Sequence, residues 1–186
     1  MKYLLFFLST IVIPSIVFSQ TYMATLSIDT VKMNELKTGD EITVPVRLKK
    51  SSDGLLLGFQ IFISFNHSTL KWNGTNENPQ TGVTNFDKSM LYSSSDWVFN
   101  DNGNQFVALW NDPKLFGVSV NDNIVLFEIK FIYTGVENEK DILPLTWGTT
   151  FETKDNIVVK GPTEMYSEKA DYYELKLIDG AIIVEN

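Results

Sequence analysis

Acid–base and nucleophilic catalysis at neutral pH most often recruits a histidine, a thiol or a pair of carboxylates. The chain of 186 residues contains no cysteine and one histidine, His67. Disulfides, thiolate metal sites, cysteine nucleophiles and multi-histidine metal centres are thereby excluded. Any imidazole chemistry would run through His67 alone. It lies in Asn66-His67-Ser68, after an expected strand, and reads as an exposed turn residue. The 23 acidic residues offer many carboxylate pairs. None stands in a motif that would mark a glycosidase acid and nucleophile. No catalytic residue, no cofactor and no enzymatic activity are expected.

Asn100-Asp101-Asn102-Gly103-Asn104 is rich in oxygen ligands. A calcium loop of the EF-hand type would need an acid where Val98 stands. The segment is read as a tight hairpin, because Asn-Gly tolerates positive φ at both central positions. A structural calcium is the alternative. Asp112, Asp122 and Asp155 are read as turn residues, and no metal ligand is assigned. Asn66-His67-Ser68 and Asn73-Gly74-Thr75 have the form of glycosylation acceptors and matter only where such sites are modified.

Binding chemistry is better represented. The chain holds 13 Phe, 7 Tyr and 4 Trp. Large flat rings fill a sheet-lined core or present a surface on which a sugar or a protein can rest. Trp72, Trp97, Trp110 and Trp147 all fall in or beside expected strands. The net charge of −8 argues against phosphate-rich partners such as nucleic acid or anionic lipid.

The elements that must position these rings are strands. No helical period persists, whereas short alternating runs recur between Gly, Asn, Asp and Pro. Strands are expected at 24–31, 41–49, 57–65, 69–72, 91–99, 105–110, 123–133, 143–151 and 172–184. They predict an all-β fold, an antiparallel β-sandwich of about nine strands. Phe59, Ile61, Ile63 and Phe65 share one face of their strand and belong to the core. Gln60, Phe62 and Ser64 share the other. There Phe62 is either a contact residue or a ring covered by a loop. Val125, Phe127, Ile129 and Phe131 alternate with Leu126, Glu128, Lys130 and Ile132, as in a half-buried strand. Pro45 predicts an edge position, and Asp179-Gly180 a bulge or bend. In 105–110 the period is ambiguous, since Phe106, Ala108 and Trp110 compete with Val107 and Leu109 for the core.

The first residues read as an address. Lys2, the apolar run of 3–13, the break at Pro14-Ser15 and Val17-Phe18-Ser19 make a secretory signal peptide over 1–19. The remaining domain is 20–186. Export is expected, to the periplasm, the cell surface or the medium, with no membrane span after removal of the leader.

Four segments in order resemble the cohesin module, the receptor half of the cohesin–dockerin pair of secreted polysaccharide-degrading complexes. Gly39-Asp40-Glu41-Ile42-Thr43-Val44-Pro45-Val46 is similar to its opening strand. Gly58-Phe59-Gln60-Ile61-Phe62-Ile63-Ser64-Phe65-Asn66 with Leu70 resembles its third strand. Ile124-Val125-Leu126-Phe127-Glu128-Ile129-Lys130-Phe131 is similar to its G-V-L-F-x-I-x-F strand, and Ile178-Asp179-Gly180-Ala181-Ile182-Ile183-Val184 to its closing strand. The resemblance implies a nine-stranded sandwich of jelly-roll topology. It also implies a non-catalytic module that docks a protein partner, dockerin-like or a surface component, through one sheet face. Carried over position by position, that face is Gln60, Phe62, Ser64, Ala108, Trp110 and Asn111, with Val107 and Leu109 turned inward. The family pattern places acids where Gln60 and Asn111 stand, so this chain departs from the standard dockerin receptor. The alternative is a carbohydrate-binding module that stacks polysaccharide on exposed rings, for example Trp97 with Tyr92 or Trp110. A structural domain of a surface or periplasmic assembly is a third reading.

Overall fold

A computed structural model describes residues 22–50, 54–75, 78–86, 96–120, 123–135, 142–154 and 157–185. The leader expected over 1–19, Tyr92, Asp122, Asp155 and the first part of the strand expected over 91–99 lie outside the described residues. In chain order the strands are β1 (Met23–Ile28), β2 (Val31–Met33), β3 (Glu41–Lys50), β4 (Leu56–Ser64) and β5 (Leu70–Trp72). A 3₁₀ turn at Pro79–Gly82 precedes β6 (Val83–Thr84), β7 (Asp96–Asp101), β8 (Gln105–Asn111), β9 (Ile124–Tyr133) and β10 (Ile142–Trp147). The chain closes with β11 (Glu152–Lys154), β12 (Ile157–Lys160), β13 (Glu164–Ser167), β14 (Glu174–Ile178) and β15 (Gly180–Val184). Among the described residues no helix is long and apolar enough to cross a membrane.

The fold is all-β, as expected, and is a two-sheet sandwich. One sheet runs β14-β1-β3-β9-β5, with β6 also on β9. The other runs β2-β15-β10-β4-β8-β7, with β13 also on β4. Most pairs are antiparallel, but β1 with β14 and β2 with β15 run parallel. The reason is a shared crossing. The chain passes from the first sheet to the second between β1 and β2, and again between β14 and β15. The two crossings lie side by side. Asp179-Gly180 is therefore a change of sheet rather than a bulge within one. Trp147 holds it there: its backbone N–H donates to Asp179 Oδ1 at 3.0 Å and its indole N–H to the Ile178 carbonyl at 2.9 Å.

Alternation explains the core. Val44, Val46 and Leu48 from β3 meet Phe59, Ile61 and Ile63 from β4, all buried. In β9 both Leu126 and Phe127 are buried, which strict alternation forbids. The ladder to β3 steps from Val46–Phe127 to Arg47–Val125 and so skips Leu126. That bulge turns two consecutive side chains inward. Pro45 is not on an edge strand, because β3 lies between β1 and β9. The Pro45 carbonyl accepts from Asp29 N–H, so its missing N–H faces the β1 side, where the ladder has just ended at Ile28–Val46. The hairpin after β7 also differs from expectation. Asn102 N–H donates to the Gln105 carbonyl, and of the four turn residues Gly103 alone has positive φ, at 82°. Gly103 is thus the first of two central residues, as in a type II′ turn.

At the crossing, a Cβ on Gly180 would lie 2.6 Å from the Ile28 carbonyl oxygen and 2.8 Å from that of Asp29. Backbone cannot yield there as a flexible side chain would. Gly180→Ala is expected to lower the unfolding free energy by about 1–3 kcal/mol, read as a shift of the urea midpoint. An unchanged midpoint would show that the two crossings do not touch.

Candidate docking surface

Register decides what the second sheet shows to solvent. On β4 and β8, Gln60 pairs with Leu109, Phe62 with Val107 and Ser64 with Gln105. On β8 and β7, Leu109 pairs with Val98 and Val107 with Asn100. On the far side of β4, Gln60 pairs with Glu164 of β13. Residues paired across strands point to the same face. The outer face therefore carries the row Glu164, Gln60, Leu109, Val98 beside the row Phe62, Val107, Asn100.

Gln60, Phe62 and Ser64 lie together on this face. Asn111 joins them, exposed, on the row of Gly58. Ala108 and Trp110 do not. Both have no exposed surface and point into the core. The orientation carried over for β8 is thus reversed: Phe106, Ala108 and Trp110 face inward, Val107 and Leu109 outward. Ring volume is the physical reason. Phe59 lies 5.7 Å from Trp110 and 5.4 Å from Trp97, while Phe106 packs at 6.0 Å on Phe127. Turning β8 over would replace these rings with Val107 and Leu109 and leave the space between the sheets underfilled. Trp97 faces inward too, against Phe99 and Phe127. Trp97 and Trp110 therefore form no exposed stacking platform. Val98 and Leu109, with the nearly covered Val107, and beyond them Phe151 and Pro162, are the residues of this face that the sequence reading missed. The size rule was the available signal: with Trp97 and Phe99 inward, Val98 and Asn100 must look out.

Phe62 is covered by a strap. It is 7% exposed, and a Cβ on Gly161 would fall 2.4 Å from its Cζ. Only a glycine lets the backbone lie so close to the ring. Hydrogen bonds fix the strap. Gly161 N–H donates to Oε1 of buried Gln105, whose Nε2 donates to Ser64 Oγ. Phe62 N–H donates to Thr163 Oγ1, Gly148 N–H to the Phe62 carbonyl, and Thr163 N–H to the Gly148 carbonyl. The β11–β12 hairpin rises between Gly148 and Gly161. A pocket of about 370 Å³ lies beside the strap, lined by residues that include Gln60, Phe62, Val107, Leu109, Phe151 and Pro162.

The polar end of the face is a bonded set. Glu164 Oε2 accepts from Gln60 Nε2 at 2.7 Å and from the Tyr166 hydroxyl at 2.8 Å. Burial, then the Glu164 carboxylate, pushes the Tyr166 hydroxyl well above the usual phenol range. Burial and then Glu168 push Tyr173 up to about 12.

His67 is engaged structurally. Its Nε2 lies 3.0 Å from Asp101 Oδ1, its Nδ1 3.2 Å from the Phe65 carbonyl, and its ring stacks on Phe65 at 3.9 Å. The neighbouring Ser68 Oγ donates to Asn66 Oδ1 instead of to the imidazole. In the Asn100–Asn104 segment, Asp101 Oδ1 accepts from Gly103 N–H, and Asn102 Oδ1 from Asn104 and Gln105 N–H. Asp112, buried, accepts from the backbone N–H groups of Lys114, Phe116 and Gly117. Among the described residues no three His, Asp or Glu side chains come together as metal ligands.

No family model matches the sequence, and no curated protein matches it. Solved structures do. The third cohesin ScaC of Acetivibrio cellulolyticus, in complex with the ScaB dockerin, aligns with TM-score 0.64 and 14% identity, over 88% of this chain and 100% of that one. A cohesin in a type I cohesin–dockerin complex from Clostridium thermocellum aligns with TM-score 0.63 and 13% identity, over 88% and 94%. A non-cellulosomal cohesin of the archaeon Archaeoglobus fulgidus aligns with TM-score 0.58 and 15% identity, over 88% and 92%. The chain has a cohesin-like domain fold.

Two predictions separate face from core. Trp110→Ala is expected to cost about 3–5 kcal/mol of stability, and Asn111→Ala less than about 0.5 kcal/mol, in paired denaturant titrations. The folded chain also holds tyrosine protons that the unfolded chain releases near the ordinary value of 10.0. Stability is therefore expected to fall as pH rises from about 10 towards 12. Tyr173→Phe should flatten that slope in unfolding curves taken across this range, and an unaltered slope would place the loss elsewhere.

Proposed function

We propose that the chain is an exported, non-catalytic binding module of cohesin type that docks a protein partner through the outer face of β13, β4, β8 and β7. The observation that carries this reading is the row Gln60, Leu109 and Val98. It sets apolar side chains in register beside polar ones on an ordered sheet, with Val98 51% exposed. Such a face offers apolar anchors ringed by hydrogen-bonding groups. The cohesin-like fold supports it, since the C. thermocellum and A. cellulolyticus cohesins named above are complexed with dockerins.

Of the residues assigned from sequence, Gln60, Ser64 and Asn111 keep a place on the surface, and Phe62 supports it from beneath the strap. Leu109 and Val98 replace Trp110 and Ala108 as contact residues. With amides at positions 60 and 111, the partner is dockerin-like but held by hydrogen bonds and apolar contact rather than by carboxylates. The run of 1–19 supports export, and a setting in polysaccharide-degrading or cell-surface assemblies fits both.

Calorimetric titration against a panel of purified dockerins tests the reading. A binding dockerin is expected, with Leu109→Arg and Val98→Arg each weakening it at least about 30-fold. Lys71→Glu, on the outer side of the other sheet, should leave affinity unchanged. If no dockerin binds and a soluble β-glucan retards the chain in affinity gels, the module holds carbohydrate and the protein-docking reading fails.

A further inference from the structure

The pocket beside the strap has chemistry of its own. Its lining is Gln60, Asn100 and Asn102 among the polar residues, with Phe62, Val107, Leu109, Phe151, Gly161 and Pro162, and no side chain among these carries a charge. Among the described residues of the lining, none would offset the desolvation of a carboxylate, phosphate or ammonium group. Two of the three amides are already engaged, and Asn100 Oδ1, buried without a hydrogen-bond partner among the described residues, is left as a single acceptor that one N–H or O–H donor would satisfy. Gln60 Nε2 donates to the Pro162 carbonyl and to Glu164, Asn102 Oδ1 accepts two backbone N–H groups, and Gly161 N–H is held by Gln105. A sugar ring, with a hydroxyl on most carbons, would bury donors and acceptors with few partners left to meet them.

Size narrows the occupant further. A volume of about 370 Å³ stands near the lower end of ligand pockets and suits one large side chain rather than a run of sugar rings. The walls say which kind. Phe62, 7% exposed, and Phe151, 68% exposed, are both in the lining. An apolar ring left exposed beside a largely apolar recess is the mark of a contact surface. The wall is also fixed in advance: Gly148 N–H to the Phe62 carbonyl and Thr163 N–H to the Gly148 carbonyl, both 2.7 Å, anchor the hairpin that follows Gly148. A preformed recess loses little freedom on binding.

We infer that this pocket receives a single uncharged aromatic side chain projected by the protein partner, with Phe151 as the specificity-determining wall. The inference rests on the docking reading above and adds the chemistry of the partner's anchor. It shares Leu109 with the docking row but, unlike that row, is a recess, flanked by the hairpin residues Phe151 and Gly161.

The probe is N-acetyltryptophanamide, titrated into the intact chain and followed through the methyl resonances of Val107 and Leu109. Saturable shifts at both are expected, with N-acetylaspartamide and cellobiose leaving them unmoved. Phe151→Ala, at an exposed position that leaves the core intact, should weaken the response at least about five-fold. Absence of a saturable shift, an equal response to cellobiose, or an unchanged response in Phe151→Ala overturns the inference. If those results arise while Val98→Arg, outside the pocket lining, still weakens dockerin binding at least about 30-fold, docking stands and the aromatic receptacle falls. If the amide binds but no protein docks on this face, the docking reading falls and takes the partner's anchor with it.

Discussion

The packing of aromatic rings between the two sheets is the constraint on which the rest of the molecule depends. Trp97, Phe99, Phe106 and Phe127 meet one another across β7, β8 and β9, with Phe59 and Trp110 continuing the seam along β4 and β8. Interiors are packed to crystal-like density, so rings of this size cannot be exchanged for valine and leucine without leaving voids. Once the seam is set, each strand has one orientation only. A one-residue change of facing would carry every side chain of β8 to the other side. What the outer face shows is thus the remainder after the core has been filled: Gln60, Val98, Leu109 and Asn111 are outside because Trp97, Phe106 and Trp110 are inside.

A second constraint acts at the edge of the same sheet. β10 meets β4 through Thr146–Ser64 and Trp147–Ile63, and β13 meets it from Glu164–Gln60 onward. Between them the chain leaves the ladder, forms the β11–β12 hairpin and returns across Phe62. The backbone groups freed by that excursion are recovered by Gly148, Thr163 and the buried side chain of Gln105. Recovery of these backbone groups is what makes such an interruption tolerable. It also converts a flat sheet into a face with a wall and a recess, which a purely continuous edge strand could not offer.

Much of the fold was legible from residues alone. Period-two runs located β1, β3, β4, β8 and β9, and the inward set of Phe59, Ile61 and Ile63 followed from alternation. Less was legible where two residues or two strands had to be compared in space. The parallel pairing of β1 with β14 joins segments that are far apart in the chain, and no local pattern encodes it. The bulge at Leu126 exists only relative to β3. Pro45 fits an interior strand because β1 ends beside it, a fact about its neighbour rather than about proline.

The candidate surface divides in the same way. Sequence by itself determined that there is no thiol, that one imidazole is available, that the chain is strongly acidic, and that Gln60, Phe62 and Ser64 share a face. It did not determine which face of β8 is inside, because Phe106, Ala108 and Trp110 alternate with Val107 and Leu109 and both sets are apolar. Only the tertiary structure decided that, by the volume between the sheets, and in doing so it withdrew Ala108 and Trp110 and put Leu109 in their place. It alone also brought Phe151 and Gly161, remote in sequence from Phe62, to the same pocket, since that meeting depends on backbone hydrogen bonds that no linear spacing can show.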